Sequence, residues 1–132
     1  MNETCKFLKE CGAFMLLTTE KGAPAGRPFG AGTEMDGDLY VCTGAHKAVY
    51  RQMKENPRVQ IVALKNGTRD WIRVEGVASE CGSLEKKARM LEDCPNLRKH
   101  HASAEDETFH LIRIRVTKSV LHAAGGTREL TN

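Results

Sequence analysis

The chain has 132 residues, 40% hydrophobic and 28% charged, with a formal net charge of +3. That length suits one domain, residues 1–132, and no apolar run approaches the ~18 residues of a membrane span. The weak charge is interleaved along the chain, which speaks against nucleic acid as a partner. Five cysteines without a C-x-x-C pair fit free thiols better than a disulfide framework or a zinc site. The opening Met1-Asn2-Glu3-Thr4-Cys5-Lys6 has no leader character, so a cytoplasmic setting is expected.

Phe7, Leu8 and Cys11 share one helical face ahead of Gly12, which predicts a short helix over Thr4 to Cys11. Ala13 to Thr19 reads as a buried strand, ended by the turn cluster Glu20-Lys21-Gly22-Ala23-Pro24. A second strand runs from Ala25 to about Met35, and Asp36-Gly37 is a hairpin signal that leads into a third strand, Asp38 to Thr43. From His46 to Glu55 the pattern is helical and stops at Asn56-Pro57. Arg58 to Leu64 and Arg69 to Ser79 alternate as strands four and five around Asn66-Gly67. Ser83 caps a third helix that carries Leu84, Ala88 and Leu91 and closes before Pro95. Residues 95–106 are irregular, and Phe109 to about Val116 is a sixth strand. Tight turns between successive strands demand antiparallel neighbours, so the expected fold is mainly β: a six-stranded antiparallel barrel with peripheral helices.

Two stretches carry chemistry. In the second strand Gly26, Gly30 and Gly32 leave one face nearly bare, while Arg27 and Phe29 occupy the other and Pro28 marks an edge or bulge. Close packing explains such a strand as well as a ligand does. At Thr43-Gly44-Ala45-His46-Lys47-Ala48 a strand gives way to a helix with two basic residues at its start. A helix N-terminus is already positive, so an anion such as a phosphate would balance it. A solvated helix start is the plain alternative.

Gly26-Arg27-Pro28-Phe29-Gly30, Asp36 to Thr43, His46-Lys47-Ala48 and Glu55-Asn56-Pro57-Arg58-Val59 resemble, in order and spacing, the pyridoxamine 5'-phosphate oxidase family. The likeness covers about residues 4 to 120, is most specific between Arg27 and Val59, and extends through Trp71 to Ala78. It implies a six-stranded split β-barrel and a homodimer with FMN at its interface. By position, Arg27 to Gly30 line the flavin, and Thr43, His46 and Lys47 hold its phosphate. Cys42 and Trp71 complete the cofactor-binding set: Arg27, Pro28, Phe29, Gly30, Cys42, Thr43, His46, Lys47 and Trp71. His46 stands where the oxidase proper has arginine, and Trp71 where it has a flavin-contacting glutamine, so the tryptophan either meets the ring or belongs to the core. The oxidase's Arg- and Trp-rich tail has no counterpart in Gly125 to Asn132, so true oxidase activity is not expected; the likeness is rather to the short flavin-nucleotide-binding branch near the nitroimidazole-resistance proteins.

Other clusters are plainer. Cys94, His100, His101 and His110 match no zinc spacing, and no metal is expected. Cys42 reads as a small packed side chain rather than a nucleophile. The expected function is an FMN-dependent oxidoreductase with a small-molecule electron donor or acceptor. Its rivals are a non-catalytic module that stores or senses FMN or haem and, more remotely, a basic β-barrel that binds nucleic acid.

Overall fold

The structure, a computed structural model, describes residues 2–130; Met1, Thr131 and Asn132 lie outside the described residues. Helix α1 spans Glu3–Cys11, and the Asn2 side chain caps it by accepting the Cys5 N–H at 2.8 Å. Strands β1 (Phe14–Glu20) and β2 (Ala23–Phe29) form a hairpin, followed by β3 (Thr33–Met35) and β4 (Asp38–Gly44). Helix α2 (Ala48–Glu55), strands β5 (Arg58–Leu64) and β6 (Trp71–Cys81), and helix α3 (Leu84–Asp93) come next. A 3-10 turn at Pro95–Lys99 leads to the long β7 (Phe109–Ala123) and to β8 (Gly126–Glu129).

All pairings are antiparallel, in the order β2-β1-β5-β6-β7-β4-β3 with β8 on β7. The mainly β, antiparallel expectation holds, but eight strands replace the expected six, and the sheet is not closed: β2 and β3 are the ends of its path. One extra strand arises because the expected second strand breaks after Phe29. Gly30 to Gly32 have no strand pairing, and the chain resumes at Thr33 as a separate partner of β4. The other, β8, carries no apolar pattern at all, being exposed along its length. At Asp36-Gly37 both residues take positive φ, 53° and 87°, as a two-residue hairpin turn requires.

β4 and the first residues of β7 carry buried side chains on both faces, and this divides the core. Leu39, Val41, Ile112 and Ile114 join α1, α2, β1, β5 and β6 in the larger cluster. Tyr40, Leu111 and Phe109 point the other way, onto Met90 and Leu91 of α3. Each such side chain contributes about 1.5–3 kcal/mol when fully buried, so the two clusters clamp β4 from both sides. β7 bulges at Thr117, the residue left unpaired opposite Glu75 and Gly76 of β6, and a Cβ on Gly76 would stand 2.7 Å from the Ile114 side chain. No helix is long and apolar enough to cross a membrane among the described residues.

Candidate functional site

The end of β2 and the end of β4 face one another across a cleft of about 210 Å³. Arg27, Pro28, Phe29 and Gly30 form one lip, Cys42 and Thr43 the other, and Lys47 stands at the head of α2. Seven of the nine residues in the sequence-derived set therefore meet at one place. β2 is an edge strand here, so Pro28 needs no ladder donor. The glycines separate into two roles: a Cβ on Gly26 or Gly32 would press on Leu17 or Phe14, whereas Gly30 has nothing within 4 Å and opens on the cleft.

Helix α2 starts two residues later than the sequence pattern suggests, because Lys47 is extended (ψ 145°) and acts as N-cap. Gly44, Ala45 and His46 make the turn, closed by the Lys47 N–H on the Gly44 carbonyl at 3.1 Å. The cap offers the helix no side-chain acceptor, and no acidic residue stands in the first turn. The positive end of α2 is thus left without a protein partner.

Three features give the cleft an anion-seeking character. The Thr43 residue is 4% exposed, and its Oγ1 is the one buried side-chain oxygen or nitrogen among the described residues without a hydrogen-bond partner; such an orphan costs about 1–3 kcal/mol. Lys47 forms no ion pair among the described residues. Arg27 donates to the Leu16 carbonyl at 3.2 Å, to Thr18 Oγ1 at 2.9 Å and to Gln52 Oε1, all of them neutral acceptors. Burial lowers the pKa of this guanidinium from its usual value, the mark of a cation with no opposing carboxylate. Cys42 is a neutral thiol: burial pushes it up to about 11, Cys94 adds to the rise and Lys47 opposes it.

His46 and Trp71 lie outside the cleft lining. The His46 ring covers Gly44, where a Cβ would come within 2.8 Å of it. Trp71 opens β6 in register with His122, and the two rings stack at 4.0 Å and 5°, with the Arg73 guanidinium 5.0 Å from the indole centroid. His122 and the Thr43 partner His110 are twelve residues apart on β7, so Trp71 and Thr43 belong to opposite ends of that strand.

Sequence reasoning missed Gln52 and Thr18, which support Arg27, and a hub at Glu80. Glu80 accepts from Tyr50 Oη at 2.8 Å, pairs with Lys54 at 3.2 Å and bonds His110 Nδ1, while the Tyr50 and His110 rings lie 4.4 Å apart. Burial works against the charged form of Glu80, yet hydrogen bonds from His110, Tyr50 and Lys54 outweigh it and hold the carboxyl at about 2. These partners are 26–30 residues away in sequence, and only the β6–β7 register and the packing of α2 could reveal them. Among the described residues no three His, Cys, Asp or Glu side chains gather as metal ligands.

The orphan hydroxyl, the uncapped helix start and Lys47 fit the phosphate of a nucleotide cofactor such as FMN. The family model described as pyridoxamine 5'-phosphate oxidase matches residues 2–122. A NimC/NimA family protein from Clostridium acetobutylicum is 35% identical, with 96% of this chain and 91% of that one covered at a TM-score of 0.85. An FMN-binding protein related to pyridoxamine 5'-phosphate oxidase from Nostoc punctiforme shares the fold at 16% identity and TM-score 0.74, covering 94% and 81% of the two chains. A haem-binding protein from Mycobacterium smegmatis does so at 18% identity and TM-score 0.80, covering 98% of this chain and 57% of that one. No curated protein sequence matches the chain. With the model spanning nearly its whole length and a 35% identical NimC/NimA relative beside it, the chain belongs to the pyridoxamine 5'-phosphate oxidase family.

Proposed function

We propose that the protein is an FMN-binding oxidoreductase that works as a cytoplasmic homodimer, with one cleft per chain and the flavin at the interface. The observation that carries this reading is the buried Thr43 hydroxyl, left without a partner at the meeting point of Lys47, Arg27 and the start of α2. A phosphate there would accept from Thr43 Oγ1, Lys47 Nζ and the free N–H groups of the helix. Arg27 to Gly30 would run along the flavin ring, with Gly30 allowing close approach. His46, in the turn beside the cleft, would reach the phosphate edge. FMN would supply the redox chemistry, and the protein would supply anchoring and local charge.

A second reading has support in the haem-binding relative: the same fold would carry haem for storage or sensing, with exposed His46 as a ligand type suited to iron. The visible spectrum of the purified protein separates the two, since flavin and haem have distinct bands and the chromophore that heat releases can be identified directly. Reduction of the bound chromophore by NADH or NADPH, followed by turnover with an added acceptor, supports the enzymatic reading. Bound FMN that no nicotinamide donor reduces favours a storage module. Light scattering at the mass of a monomer contradicts the interface site.

A further inference from the structure

A second hollow, about 440 Å³ in volume, adjoins the cleft, and Gly30 and Ala31 line both. Its floor is apolar, made by Cys5 and Leu8 of α1, Phe14 of β1 and Leu39 of β4, each no more than 5% exposed. The Phe14 ring stacks on Phe29 at 6.1 Å and 25°; since Phe29 borders the cleft, this ring pair stands between the two spaces. A volume of this size suits a small organic molecule.

The polarity of the hollow is opposite to that of the cleft. Its rim carries Glu34 and Asp93 against one cation, Lys9. Asp93 Oδ2 accepts from Thr33 Oγ1 at 2.7 Å and Glu34 Oε1 accepts from the Asn2 N–H at 2.9 Å, but neither carboxylate is in an ion pair among the described residues. The thiols that line it add no charge: burial pushes Cys5 up to about 11 and raises Cys94 as well. From the cleft to the hollow, Arg27 and Lys47, which face no carboxylate, give way to Glu34 and Asp93, which form no ion pair among the described residues although Lys9 shares their rim.

We propose that this hollow binds the second reactant, a small aromatic molecule bearing a positive charge, of the arylalkylamine type. Its ring lies on the Phe14 and Leu39 floor against the bare Gly30 to Gly32 backbone, and its ammonium group meets Asp93 and Glu34. The role as second reactant rests on the reading of the cleft as the FMN site; the binding itself does not. A molecule so placed is separated from the cleft only by the Phe14–Phe29 pair and Gly30.

The test is an NMR titration of the full chain, with and without FMN, using phenethylamine, 2-phenylethanol and 3-phenylpropionate. The amine is expected to shift the amides of Gly30, Gly32 and Thr33 and to bind about threefold to fivefold more tightly than the alcohol, the range open to exposed charges, with the acid weakest. Asp93→Asn combined with Glu34→Gln brings the amine to the level of the alcohol. Equal or tighter binding of the acid, shifts confined to other surfaces, or an amine preference that survives the double substitution overturns the proposal. With FMN bound, the amine is also expected to perturb the flavin spectrum; binding without that perturbation denies it the role of second reactant. Amine binding at the hollow in a chain that ignores FMN overturns the cofactor reading and that role together, leaving a cation site alone.

Discussion

Arg27 on β2 donates to the side-chain oxygen of Gln52 on α2, an acceptor that also receives the Thr18 hydroxyl. The strand that forms one lip of the cleft is thereby tied to the helix whose first residues end at the other. Gln52 is 5% exposed, so Gln52→Leu leaves a guanidinium and a hydroxyl short of an acceptor. We expect it to lower stability to urea by about 1–3 kcal/mol and to weaken FMN binding through the loosened lip. Unchanged stability would mean that Arg27 finds another acceptor at no cost.

Thr43→Val separates structure from function by sign. The two side chains have nearly the same shape, and the substitution removes a buried hydroxyl that has no partner in the chain itself. Without ligand, the variant is expected to gain up to about 1 kcal/mol in urea unfolding, because no unsatisfied oxygen remains. It is also expected to bind FMN about tenfold more weakly, for want of one hydrogen bond to the phosphate. A variant that is destabilised and binds FMN normally would mean that the hydroxyl serves the fold.

Much of this is legible in the sequence, and the exceptions have physical causes. The Ser83 cap is realised, with its Oγ accepting the Lys86 N–H at 3.2 Å, and Asn56-Pro57 ends α2 where the proline demands. The cleft gathers seven residues of the set that the family resemblance picks out in sequence, Lys47 of the basic pair among them, whereas His46 lies outside its lining and of the three strand glycines only Gly30 opens on it. Strand β8 is not legible, since a polar edge strand such as Thr127-Arg128-Glu129 has no buried face to impose a pattern. Helical spacing sets the head of α2 two residues early, because it cannot distinguish the turn at Gly44 to His46 from a first helical turn. Trp71 meets His122 through a stretch of β7 that outlasts its own apolar alternation, so that stacking had no signal in sequence.

Glu80 sets a pH dependence. Its carboxyl is held at about 2, against an ordinary 4.5, by donors on β7 and α2 that outweigh its burial. A depressed value stabilises the fold above the unfolded-state pKa, and that contribution disappears as pH falls through the folded one. The parent is therefore expected to lose stability between about pH 4.5 and 2 more steeply than Glu80→Gln, followed by urea midpoints at each pH. Parallel slopes would show that the hub is neutral toward acid.

The central claim is that the cleft between β2 and β4 holds the phosphate of FMN, and a titration of the full chain with FMN, followed by flavin fluorescence, tests it most directly. One FMN per chain is expected to bind saturably and to be competed by inorganic phosphate, and Lys47→Ala is expected to lose about tenfold or more in affinity with unchanged stability. A protein that leaves FMN fluorescence untouched, or a Lys47→Ala variant that binds as the parent does, would contradict it.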